Sequence, residues 1–384
     1  MAASMPINHE VLKWARVQSG RTIADVAHAL KKSDEEIVLW ESGTGGPTYA
    51  QLETLAYEVF KRPTAIFFFP KPPHEHDGSI EFRTIPADEA ERFHHDTRTA
   101  MRQAVLFQLS LNELHDNRNP VENALFKRLQ LSVGSDLIAG AARLRQDLGV
   151  PIEDQMRWRD EKAAFDNWRE RFESQGIYIF KRPFKQQRIS GFCMVDDQFP
   201  LIVVNNSHSF TRQIYTLFHE LAHILAGEQG MTLAGIGYVD RIADARAKRA
   251  EVWCNALAAE TLMPQQVFRR LYNGDASDGA VEAIADSFSV SREVVLRRIL
   301  DLSGVTRDYY ERKAEEWGNQ RMGNRKSGGD WYRNQASYLG HRYIHDVIAH
   351  HVKGRSSEQQ VAEYLGVKAS QVERVAMAAG LVGV

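Results

Sequence analysis

Apolar residues recur at three- and four-residue intervals along most of this chain, and one such stripe carries a polar stripe beside it. Ile214, Leu217, Phe218, Leu221, Ile224 and Leu225 make the apolar face of a predicted helix, with Arg212, Thr216, His219 and His223 along its flank. Gly227 supplies a stop. The pattern predicts a helix packed on one side and open to a cleft on the other. A second helical segment runs from Ala250 through Ala259 to Met263, where Pro264 ends it. Between Gly176 and Asn206 the texture changes, and the runs beginning at Ile177, Ile189 and Leu201 read as short strands separated by polar turns. We expect a small sheet laid against the first helix, with Gly191 to Val195 as its edge.

The flanking regions read as helical. Val11, Leu12 and Ala15, then Ile23, Val26, Ala27 and Leu30, then Ile37, Leu39 and Trp40, then Leu52, Leu55, Ala56 and Val59 give successive short amphipathic helices. Closely spaced prolines at Pro63, Pro70, Pro72 and Pro73 end that module. From about Asp88 to Arg171 the chain is almost wholly helical in pattern, and it returns to helix after Pro264. The Gly-rich run 318–330 reads as a linker, followed by a small helical segment with Ser356, Ser357 and Glu358 as a start signal and Gly366 as a stop.

His219-Glu220-Leu221-Ala222-His223 changes the picture from packing to chemistry. Histidines at i and i+4 share one face of a helix, one turn apart, close enough to hold a common ion. Two neutral imidazoles with a hard carboxylate suit Zn²⁺, and a catalytic zinc site takes three protein ligands and leaves a position for water. Glu251, on the second helix, is the candidate third ligand. Ala226 and Gln229 stand where one branch of zinc peptidases would place a glycine and a further histidine, so a glutamate on a following helix is preferred. Glu220 is then the candidate general base, and Asn255, one turn beyond Glu251, is a candidate to orient a ligand.

Composition fits several domains: 384 residues with 43% hydrophobic content supply sizeable cores. Cys193 and Cys254 are the only cysteines, which argues against a disulfide framework and for a reducing, cytoplasmic setting. The first residues lack the basic and apolar regions of a signal peptide, and the apolar run Ala65 to Phe69 is too short to span a bilayer.

The run Ile189-Ser190-Gly191-Phe192, then Pro200 to Asn205, then Phe218-His219-Glu220-Leu221-Ala222-His223, then Glu251, Asn255, Ala258 and Leu262-Met263-Pro264 resembles the ImmA/IrrE metallopeptidase family. Thr22 to Ala27, followed by Ser33 and Trp40-Glu41-Ser42-Gly43, resembles the helix-turn-helix of XRE (Cro/repressor-like) type. The resemblance implies a predominantly helical α+β protein. Its parts are an XRE-type module and linker at 1–75, a helical region with the zinc peptidase domain at 76–317, the linker at 318–330, and a basic helical segment at 331–384. It implies one zinc ion on His219, His223 and Glu251, and a protein substrate, a helix-turn-helix repressor controlling stress, mobile-element or phage-defence genes. The alternative is a non-proteolytic regulator or antitoxin that keeps the zinc fold as a scaffold.

Charge qualifies the nucleic-acid side of that expectation. Through Phe60 five Lys/Arg face eight Asp/Glu, a net of −3, and Asp34, Glu35 and Glu36 fall on the first turn of the presumed recognition helix. Such a surface opposes phosphate. Lys31, Lys32 and Ser33 are the candidate DNA- or partner-binding residues there. From Gly323 to Val384 eight Lys/Arg face five Asp/Glu, a net of +3, so that segment is the candidate sensor of an anionic effector such as single-stranded nucleic acid, or a cover for the cleft. A second copy of the chain is a further candidate partner; a membrane is not expected.

Overall fold

The computed structural model describes residues 4–60, 62, 64–73, 93–228, 231–233, 239–320 and 329–381, with 231–233 and 318–320 described through their backbone. His74, His76 and residues 321–328 of the Gly-rich run lie outside the described residues. The fold is α+β and predominantly helical. The chain divides into two compact units, 1–81 with 87–103, and 82–86 with 104–384.

In the first unit, α1 (His9–Gln18), α2 (Ile23–Leu30), α3 (Asp34–Glu41) and α4 (Tyr49–Glu53) surround a core of Val11, Leu12, Val26, Ile37, Trp40, Leu52, Leu55 and Phe60. Each helix start is written in the sequence. Asn8, Thr22, Ser33 and Thr48 occupy the N-cap positions, and Thr22 with Asp25 and Thr48 with Gln51 close reciprocal capping boxes. Helix α2 ends on Lys31 in the left-handed region (φ 54°), and three residues separate it from α3. The first half of α5 (His95–Leu114) belongs to this unit, where His95 Nδ1 lies 2.6 Å from Ser19 O and Arg102 donates to Gln18 O.

The second unit is built on a four-stranded sheet of order β1-β3-β2-β4. Strand β1 (Tyr178–Arg182) runs parallel to β3 (Leu201–Asn205), while β2 (Ile189–Met194) is antiparallel to β3 and to β4 (Met231–Leu233). Strand β2 is therefore internal. The expectation that Gly191 to Val195 forms the edge fails, because β4 adds a three-residue strand that pairs with Ile189, Gly191 and Phe192.

Helices α6 (Leu137–Leu148), α7 (Glu161–Ser174), α8 (Phe210–Ala226) and α9 (Ala245–Leu262) pack around this sheet. Phe218 of α8 sits edge-on to Trp168 and Phe172 of α7, at centroid distances of 4.7 and 5.1 Å. Burying one such aromatic contributes roughly 1.5–3 kcal/mol. Between β2 and α8 the approach is so close that a Cβ on Gly191 would lie 2.6 Å from Thr216 Cγ2 and 2.7 Å from Val203 O. Only glycine allows the motif helix to sit this near the strand.

The end of α9 is tied down by buried polar groups. Arg145 Nη1 donates to Gln155 Oε1 and Thr261 O, and Gln155 Nε2 donates to Leu262 O and Phe288 O. Helices α10 (Asp278–Phe288), α11 (Arg292–Asp301) and α12 (Arg307–Gln320) complete the core with Ile284, Phe288, Leu296 and Trp317. Two arginines of α11 are engaged within the fold, Arg292 over Trp317 and Arg298 with Glu260 and Met263 O, while Arg297 pairs with Asp301 at the surface.

The last helices, α13 (Trp331–Leu339), α14 (His341–Val352), α15 (Glu358–Leu365) and α16 (Val372–Ala378), belong to the same compact unit. Tyr343 is fully buried against Phe107 and Phe180, and Asp346 accepts from Tyr178 and lies 3.1 Å from His115 Nε2. Two histidines of α14 serve as local hydrogen-bonding groups, His341 with Ala379 O and His351 with Ser356 O.

Candidate metal centre

Helix α8 starts at Ser209, whose hydroxyl accepts from Arg212 N, and ends at Gly227 in the left-handed region (φ 68°). Between these caps His219, Glu220 and His223 are fully buried, as is Glu251 on α9. The sequence suggested a face open to a cleft; both faces are covered instead, since α9 packs along the polar stripe.

His219 Nε2 and His223 Nε2 lie 3.0 Å apart. Glu251 brings one carboxylate oxygen 3.3 Å from His219 Nε2 and the other 3.1 Å from His223 Nε2. Among the described residues this is the one group of three or more such side chains whose ligand atoms converge. Tetrahedral zinc holds nitrogen and oxygen ligands at about 2.0–2.1 Å, which sets neighbouring ligand atoms about 3.3–3.4 Å apart. The two imidazole nitrogens are of that order apart and each has its own Glu251 oxygen nearby, so two nitrogens and a carboxylate converge, a donor set that fits the ion.

The electrostatics agree. Burial alone would depress the His223 imidazole, but Cys254 and the Glu251 carboxylate beside it raise its pKa well above the ordinary histidine value. Burial would likewise raise Glu251, and the two histidines hold its carboxyl well below the usual range. A desolvated carboxylate facing two imidazole nitrogens is a place prepared for positive charge.

Asn255, one turn after Glu251, lies with Oδ1 3.1 Å from His219 Nδ1 and accepts from the Tyr215 hydroxyl at 2.9 Å. Sequence reasoning named Asn255 and missed Tyr215 and Cys254. Tyr215 stands four residues before His219, as His219 stands four before His223, and that repeated spacing was the available signal. Other acidic groups near the two helices are engaged elsewhere: Glu228 with Arg246, Asp240 with Lys248, and Asp244 as the N-cap of α9.

Lys31, Lys32 and Ser33 lie in the first unit, at the turn before α3. Lys32 Nζ pairs with Glu36 at 2.8 Å, and Ser33 Oγ accepts from Glu36 N, so both are committed to the start of that helix. Lys31 is exposed.

A buried His-His-Glu group on two adjoining helices offers the donor set of a metal site. Residues 172–300 match the IrrE N-terminal-like domain family, Peptidase_M78, which covers β1 to β3, α8, α9 and most of α11. That family is zinc-dependent, and the match supports a peptidase-like domain of ImmA/IrrE kind. No curated protein matches the chain. Among the described residues no helix is long and apolar enough to cross a membrane.

Proposed function

We propose that this chain is a zinc-dependent endopeptidase that cuts a helix-turn-helix transcriptional repressor. The observation that carries this reading is the convergence of His219, His223 and Glu251 on one buried point, with Glu220 between the two histidines on the same helix. Zinc bound there would act as a Lewis acid, polarising the scissile carbonyl and lowering the pKa of water to about 7.

The chain's own residues divide the remaining work. His219, His223 and Glu251 hold the ion. Glu220 accepts a proton from the attacking water at its carboxylate and returns it to the leaving amide nitrogen. Asn255 holds the His219 ring with Nδ1 turned inward to α9, which leaves Nε2 for the metal.

The substrate class follows from the family resemblance, and the first unit supplies the means of recognising it. Its α2 and α3, joined by three residues, have the spacing of a helix-turn-helix, and we assign this module to binding the partner repressor rather than to tight DNA binding. The test is incubation of the zinc-loaded full chain with purified candidate repressors, beside the Glu220→Gln variant. Cleavage at a defined bond by the first and not the second is the expected result. Intact repressors with both proteins would favour the non-proteolytic scaffold.

A further inference from the structure

An imidazole that binds a metal through Nε2 must carry its proton on Nδ1, and an outer partner has to hold it there. For His219 that partner is Asn255 Oδ1, 3.1 Å away. An asparagine, however, presents an oxygen and an NH2 from nearly equivalent positions. Turned over, it would donate to Nδ1 and drive the ring proton onto Nε2, the atom that faces Glu251 and His223. The two orientations have opposite consequences for the metal.

Tyr215 discriminates between them. Its hydroxyl donates to Asn255 Oδ1 at 2.9 Å and lies 3.2 Å from the main-chain oxygen of the same residue. With the amide inverted, the hydroxyl proton would keep only the longer of these acceptors, and Oδ1 would lose both of its donors. Tyr215 is half-buried on the same helix as His219, one turn before it, so the three groups form a short line: hydroxyl, amide, imidazole. The other histidine has no such line. His223 has the Cys254 thiol as its hydrogen-bonding neighbour in place of an amide.

We propose that Tyr215 is a positioning residue that fixes the Asn255 amide and thereby selects the metal-binding tautomer of His219. The proposal rests on the metal centre assigned above. It predicts that the hydroxyl tunes zinc affinity without touching the ion, and that its influence exists only because residue 255 is an amide. A carboxylate at 255 offers an acceptor oxygen in either orientation, which makes the hydroxyl's choice redundant.

The experiment is a double-mutant cycle on the full chain, with zinc affinity read by chelator competition and the fold checked by thermal melting of the metal-free proteins. Tyr215→Phe keeps the ring and should weaken zinc by about three- to ten-fold, less than the 10- to 100-fold typical of a direct outer partner. In an Asn255→Asp background the same change should cost nothing or reverse in sign. An equal loss in both backgrounds would show that Tyr215 acts through packing and overturn the proposal. Nitrogen NMR of the metal-free imidazoles gives an independent reading should Asn255→Asp fold poorly. An added Nε2–H population in Tyr215→Phe supports the relay, and unchanged tautomers reject it. His219→Ala and Glu251→Ala separate the two levels: unchanged zinc affinity in both would remove the metal centre itself.

Discussion

Helices α3 and α8 both begin at a capping serine and both carry a dense set of polar residues, yet they have opposite relations to solvent. On α3 only Ile37 and Trp40 are buried, while Val38 and Leu39 remain 47% and 49% exposed beside the exposed Glu35. On α8 Thr211, Gln213, Thr216, His219, Glu220 and His223 are all buried. A solvated polar group costs little wherever it stands, so the polar residues of α3 are compatible with many roles. A desolvated one costs roughly 2–7 kcal/mol unless it is partnered, so the partners of those on α8, such as Asn255 beside His219, carry physical meaning. Burial turns a pattern of residue types into a statement about chemistry.

The largest effects should come from breaking α8. Glu220→Gln removes a proton acceptor but no ligand, so peptide cleavage should fall by about 10²-fold or more while zinc stays near one per chain by metal analysis. His223→Ala or Glu251→Ala should lose the zinc. Full zinc in Glu251→Ala would return the third ligand to Glu228, Asp240 or Asp244.

A smaller effect tests how tightly α8 is seated. Gly191→Ala places a methyl against Thr216 and the Val203 carbonyl and should destabilise the protein by about 1–3 kcal/mol in denaturant unfolding. An unchanged midpoint would mean that strand and helix are free to separate.

Next in size is Lys181 on β1, a buried amine lying over the rings of Phe165 and of Phe210, the first residue of α8. Burial lowers its pKa to about 7. Between there and the unfolded value near ~10.4 the unfolded chain holds the extra proton, so stability rises with pH across that window; below it the penalty is full. Lys181→Met should therefore stabilise the protein at neutral pH by a few kcal/mol at most, and the advantage should shrink as pH approaches ~10. A constant difference across the window would contradict the assignment.

The smallest effect belongs to α3. Val38→Ser and Leu39→Ser should each shift unfolding by no more than about 0.5 kcal/mol. The full chain should form no tight sequence-specific DNA complex at physiological salt, since acidic side chains line the start of that helix. Nanomolar binding in an anisotropy assay would show that another surface faces DNA.

His219, Glu220 and His223 were legible in the sequence because a helix brings i and i+4 together without help from tertiary structure. Glu251 and Asn255 were legible because their segment ends cleanly at Pro264 and carries a carboxylate one turn before an amide. Tyr215 was hidden by its own ring, which satisfies the apolar pattern while its hydroxyl does something else. Strand β4 is too short to alternate, and without it β2 reads as an edge. The docking of Tyr343 edge-on to the stacked Phe107 and Phe180 depends on residues far apart in the chain, and local pattern carries no trace of such pairings.

On the outer side of β1, the Arg169 guanidinium donates to the Ile179 carbonyl and, at 2.7 Å, to the carbonyl of Ser337 in α13, while its Nε pairs with Glu173. Gly340 lies so close that any Cβ there would strike the guanidinium. One arginine thus stitches the C-terminal helices to a strand that would otherwise offer its backbone to any neighbouring chain. Edge strands left bare are templates for intermolecular pairing. The C-terminal helices cover this edge of the sheet, and a protein shortened before Trp331 is expected to self-associate, with turbidity as the readout; a clear solution would show that the covering does not matter.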